Sequence, residues 1–163
     1  MNIKDLKDLY VAELQEARSV EAQLTEALPT MIEAASAGDL KQALEDHLGE
    51  TRSQLGEMDA ILQRHGADAL EHRDQSMQSI ISEAEKWTGM VEDPACRDAG
   101  LIASAQRVEH YEIAVYGTLT TWAKQLGLDE EAARLHAILD QEKAADGKLT
   151  RLGKGSVNAQ AAH

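Results

Sequence analysis

Cysteine is nearly absent. Cys96 is the single one in 163 residues, which excludes an internal disulfide framework and a thiolate metal cluster. Proline occurs twice, phenylalanine not at all, and aromatic residues together make 3% of the chain. So few aromatics beside abundant Ala, Leu, Glu and Gln disfavour a sheet and favour helices. No uninterrupted apolar run is long enough to cross a bilayer, and the opening MNIKDLKDLY lacks an apolar signal core, so a cytoplasmic protein is expected. Positive charge is also scarce: 16 Lys and Arg against 29 Asp and Glu leave a net charge of −13. That balance argues against binding to nucleic acid or to an anionic membrane. A glycine-rich phosphate loop, a Ser-His-Asp order and a Cys-x-x-Cys pair are all missing, so nucleotide-dependent and nucleophilic mechanisms have no support.

What is present is a set of long helical runs separated by glycines. The first extends from about Ile3 to Ala35 and closes at Gly38, read as a left-handed C-cap, with Pro29 interrupting its last turns. Asp39 is the expected N-cap of a second run, which ends at Gly66. A polar stretch follows, with a short amphipathic helix at Ser76 to Trp87. A fourth run goes from about Arg97 to Leu126 and stops at Gly127; Asp129 caps a fifth, which ends at Gly153. Residues 154–163 are small and polar and are expected to be disordered. Residues 1–153 then form one domain: two antiparallel hairpins with short turns, joined by a crossover of roughly 30 residues. This is the ferritin-like arrangement, an all-α four-helix bundle.

The acids break the apolar stripes. At 100° per residue, Glu21 falls within the stripe of the first helix, Glu109 and Glu112 within that of the fourth run, and Glu142 and Asp146 near the centre of the last. Glu50 lies at the margin of the second helix, whose stripe also contains His47 and Gln54. Each acid stands near a helix midpoint, and midpoints meet at one level in an antiparallel bundle. Six carboxylates in a dry core repel one another, and two divalent cations would nearly balance them. The candidate ligands are therefore Glu21, Glu50, Glu109, Glu112, Glu142 and Asp146, with His47 and Gln54 as further candidates. Hard oxygen donors favour iron or manganese over zinc or copper, without choosing between the two and with magnesium and calcium left open.

Other residues carry weaker signals. Glu13 also falls on the first stripe but two turns from Glu21, and reads as solvated or paired with Arg18. His110 and His136 point away from their stripes, and His65 ends the second helix, where a cation meets the helix dipole favourably. Tyr10, Tyr111 and Tyr116 read as core residues. Outward apolar groups such as Trp122 and Ile113 need cover, which points to a homodimer.

The segments Asp8-Leu-Tyr-Val-Ala-Glu-Leu, Glu21-Ala-Gln-Leu-Thr-Glu-Ala-Leu-Pro-Thr-Met, His47-Leu-Gly-Glu-Thr and Val108-Glu-His-Tyr-Glu-Ile-Ala resemble the YciE/YciF family of ferritin-like, stress-associated bacterial proteins. The resemblance implies a rubrerythrin-like bundle, dimeric, with two divalent ions in its core, iron ahead of manganese. Position by position it implies the same six acids. One departure is plain: Ser53 follows Glu50 at i+3 and Ala145 follows Glu142, so neither helix carries Glu-x-x-His. The expected function is a stress-response protein whose dimetal site handles dioxygen or peroxide. The alternative is a non-catalytic helical stress protein with a structural ion or water in its core.

Overall fold

The structure is a computed structural model and describes residues 3–162, for Ser156 the backbone alone. It is all-α, a four-helix bundle with an added crossover helix. Helix α1 spans Leu6–Ala34 and runs through Pro29; its N-cap Asp5 accepts from the amide of Asp8. Helix α2 spans Gly38–Arg64, α3 Gln75–Met90, α4 Pro94–Gln125 and α5 Asp129–Leu152. Asp74 and Asp93 cap α3 and α4 by accepting from the amides of Met77 and Cys96, and Pro94 occupies the first turn, where a missing N–H costs nothing. Helix α1 packs on α2 and α4, α5 packs on α4 and α2, and α3 lies across α4 and α1.

Gly66 and Gly127 adopt φ of 62° and 70° and end α2 and α4 as expected. The turn between α1 and α2 differs. Gly38 is the first residue of α2 and Asp39 sits in its first turn, while Ala35 and Ala37 are extended. The side chain that holds this turn comes from another helix. Asp98 of α4, 3% exposed, accepts hydrogen bonds from the amides of Ser36 at 2.8 Å and Ala37 at 2.7 Å. With both orphan amides satisfied by one carboxylate, neither a left-handed residue nor a local cap is needed.

The end of the chain also differs from the expected disordered tail. Residues 153–157 form a π-helical turn with a kink at Gly155, and α6 spans Asn158–Ala161. The cause is Val157, which is 2% exposed and buried in the apolar core against α4. An apolar side chain buried to that extent stabilises by about 1.5–3 kcal/mol.

Two apolar clusters make up the core. One contains Tyr10, Leu14, Met58, Ile61, Leu62, Tyr116, Leu119 and Leu135; the other contains Val20, Leu24, Leu40, Leu44, Leu101, Ile102 and Leu149. Each draws on α1, α2, α4 and α5. Between them along every long helix lies a layer of buried polar side chains.

Candidate metal centre

This polar layer is built from helical spacing. On α2, His47, Thr51 and Gln54 recur at four and three residues and are all buried. On α4, Glu109 and Glu112 lie one turn apart, 1% and 0% exposed. Glu142 of α5 and Glu21 of α1 complete the layer, both fully buried.

Ligand atoms of His47, Glu109, Glu112 and Glu142 all lie within 4.8 Å of one another. His47 Nε2 is 3.5 Å from Glu109 Oε1 and 3.8 Å from Glu112 Oε2, and its Nδ1 is 4.0 Å from Glu142 Oε2. These separations are too long for hydrogen bonds and leave room for an ion between the donors. Most of the atoms concerned have no hydrogen-bond partner: both ring nitrogens of His47, both oxygens of Glu112, and one oxygen each of Glu21, Glu109 and Glu142. Buried polar atoms are nearly always paired, so so many unpaired ones converging on one point fit a cation as the absent partner.

Two neutral side chains orient the acids. Tyr116, itself fully buried, donates its hydroxyl to Glu21 Oε1. Gln54 Nε2 donates to Glu142 Oε1 and, at 3.1 Å, to Gln141 Oε1.

The electrostatics follow from crowding. Burial pushes Glu112 well above the carboxylate range, and the neighbouring charges of Glu21, Glu142 and Glu109 push it further. Burial, then Glu142, raises Glu109 likewise. Burial carries Glu21 up to about 8 although the Tyr116 hydroxyl opposes it. Burial brings Glu142 to about 7, the hydrogen bonds with Glu109 and Gln54 holding it back. His47 moves the other way, down to about 4, because burial disfavours its cation. The layer is therefore proton-rich without a cation and ready to exchange protons for one.

Two expected members stand apart. Glu50 is at the rim, its side chain 41% exposed and its Oε2 4.0 Å from His47 Nδ1. Asp146 is outside the group. It pairs with the exposed His110 at 3.3 Å and accepts from Gln106 at 3.3 Å. One helical turn beyond Glu142 rotates it by about 40°, enough to face the α4 edge instead of the centre. Glu13 is not paired with Arg18, whose guanidinium binds Asp59 at 2.9 Å.

Besides Asp74 and Asp98, the helix spacing gives no sign of a further buried acid, Glu131. In the first turn of α5, it accepts from the Tyr10 hydroxyl at 2.8 Å and lies 2.9 Å from His65 Nε2. Burial raises its pKa, but the contacts with His65 and Tyr10 outweigh that and leave it lowered. Its position at a helix start was the available signal: acids there read as dipole partners.

The profile of a domain of unknown function, DUF892, matches residues 5–162. The chain belongs to the DUF892 family. Protein YciF of Escherichia coli strain K12 is 41% identical over 162 residues, 99% of this chain and 98% of that protein. The crystal structure of that E. coli stress protein aligns with this DUF892 chain at a TM-score of 0.90 and 40% identity, covering 96% of this chain and 99% of that one. YcfI of Rhodopseudomonas palustris, for which a structural role is proposed, aligns at a TM-score of 0.88 and 40% identity, covering 91% and 95%. The resemblance carried by the four quoted segments is thus a family membership that spans nearly the whole DUF892 chain. Among the described residues no helix is long and apolar enough to cross a membrane.

Proposed function

We propose that this protein is a ferritin-like stress-response protein that binds two divalent cations, iron ahead of manganese, in its polar layer. The convergence of His47, Glu109, Glu112 and Glu142 within 4.8 Å, with so many of their atoms unpaired, carries the reading. Charge supports the number of ions. Glu21, Glu109, Glu112 and Glu142 supply four negative charges when ionised, which two divalent ions neutralise. Glu21, whose charge acts on Glu112, and Glu50, 4.0 Å from His47 Nδ1, add further carboxylates beside the group of four. One imidazole among carboxylates suits iron or manganese, and either would supply Lewis acidity and one-electron redox chemistry toward dioxygen or peroxide. Within the layer, Tyr116 and Gln54 fix the orientation of Glu21 and Glu142, and the two apolar clusters exclude water from above and below.

A second reading, a non-catalytic helical protein with a structural ion, draws on the oxygen-rich donor set without Glu-x-x-His and on the structural role proposed for the R. palustris relative. Metal analysis after expression with iron or manganese separates the two. Two redox-active ions per chain, lost in Glu142→Ala, support the first; one redox-silent ion supports the second. Metal-free protein whose melting temperature ignores added Fe²⁺ and Mn²⁺ overturns the first and leaves the second, with water in place of the ion.

The homodimer belongs to the same proposal. Trp122 and Ile113 pack partly into the core, so the apolar surface it would cover is instead Trp87 and Met90 on α3, 46% and 66% exposed. Sedimentation equilibrium tests it, and a monomer at all concentrations refutes it.

A further inference from the structure

A cleft of about 250 Å³ lies in the seam between α2 and α5. Exposed Asp46 and Ala144 line it at the surface, and buried His47 and Glu109 line it at depth, so it joins solvent to the polar layer. Its cause is local composition. Beyond Glu142, α5 sends Leu149 into the second apolar cluster with Leu152 packed against it, while Ala144 and Ala145 line the gap together with Ala43 of α2. At that level the seam is lined by small side chains.

Three observations give the cleft a direction. His47, 5% exposed, lines it with both ring nitrogens unpaired. Glu50 reaches from half-exposed at the rim to 4.0 Å from His47 Nδ1, so one carboxylate spans the step from solvent to the layer. Across the mouth, Lys148 of α5 binds Asp46 of α2 at 2.5 Å, placing an ammonium over Asp46 and Glu50, with Arg151 as the second cation along the cleft. Elsewhere the layer is walled by the two apolar clusters, and Tyr116 and Gln54 occupy the flanks of Glu21 and Glu142.

We infer that the α2–α5 cleft is the route by which a divalent cation enters the polar layer, with the Lys148–Asp46 ion pair as its gate and Glu50 as the hand-over ligand. The inference rests on the metal-site reading above. A cation approaching the mouth meets the Lys148 charge first. When that side chain swings off Asp46, two carboxylates one helical turn apart, Asp46 and Glu50, present an inward path of like sign.

Rapid mixing of metal-free protein with Co²⁺, followed by its visible absorption, tests the route. Lys148→Ala removes the ammonium and is expected to speed uptake by roughly 3- to 10-fold, a size typical of local charge on association rates. Lys148→Arg keeps the charge and is expected to keep the wild-type rate. Ala144→Trp fills the cleft from an exposed position and is expected to slow uptake by about tenfold or more. The final Co²⁺ per chain should be the same in all four proteins. Circular dichroism checks their folding, and if the tryptophan variant does not fold, the two lysine variants decide. Equal rates throughout with full stoichiometry overturn the route and leave the site standing. A wild-type chain that takes up no Co²⁺ overturns the metal-site reading and the route with it.

Discussion

Gln54 of α2 donates its amide to Glu142 of α5, a buried hydrogen bond that, with the one from Tyr116 of α4 to Glu21 of α1, ties the first hairpin to the second at the level of the candidate site. Its removal tests how far the acids depend on their supports. Gln54→Leu frees Glu142 to rotate and withdraws a donor that favours its ionised form. Cation affinity is expected to fall about 10- to 100-fold, as for other residues that orient ligands, with stoichiometry kept. Titration calorimetry with Mn²⁺ measures it; affinity within twofold of wild type would show that Glu142 needs no support.

Glu112→Gln separates stability from binding. The wild-type carboxylate is fully buried beside three others, and its burial is costly when ionised. The amide has nearly the same shape without the charge. At pH 8 the metal-free variant is expected to be more stable by about 1–3 kcal/mol in urea denaturation, while the stabilisation by added cation disappears. A less stable variant would mean that the acid is held by interactions other than those of an ion site.

The pH dependence of the metal-free protein has a definite sign. Burial raises Glu21 to about 8 and Glu142 to about 7, and places Glu109 and Glu112 above the ordinary 4.5 as well. The folded chain therefore holds protons that the unfolded chain has released, and the stability this gives is lost as pH rises through the folded values. His47 acts oppositely: with its folded value lowered to about 4 from 6.5, its contribution is present above 6.5 and lost as pH falls. Between about pH 6.5 and 8 the imidazole is neutral in both states, and the carboxylates alone decide. The melting temperature of chelator-treated protein should fall across that window and flatten when Mn²⁺ is added. A rise with pH would contradict the buried, uncompensated layer.

Asp98 offers a prediction away from the site. Asp98→Ala leaves the amides of Ser36 and Ala37 without their acceptor, at a cost of about 2–4 kcal/mol. Asp98→Asn retains one acceptor oxygen and should recover roughly half. Urea denaturation of the two variants checks the ranking; equal losses would show that the carboxylate charge, not the pair of hydrogen bonds, secures the turn.

The helices were legible because their stripes are long and their breakers strong: Gly66 and Gly127 ended α2 and α4 where their backbone freedom is used. Gly38 misled because the partner that shapes its turn, Asp98, is 60 residues away and invisible to local pattern. Val157 shows the same limit, since one apolar residue in a polar tail signals little until a groove receives it. In the site, wheel position brought out Glu21, Glu109, Glu112 and Glu142, whose stripes are clean. It ranked Asp146 too high, because a rotation of about 40° between turns decides which of two adjacent acids faces inward. It left His47 open, because its place depends on the packing of α2 against α4 and α5, which no single helix reveals.

The division of the core into two apolar clusters has a mechanical consequence. Helices α1, α2, α4 and α5 each contribute to both clusters, Tyr111 packs against the two, and the buried acids lie between them. Those acids repel one another when ionised. An ion seated there would act as a rivet, drawing the four helices together at the level where their own side chains push them apart. Filling or emptying this layer would then change how firmly the whole bundle is held, not only what happens at its centre.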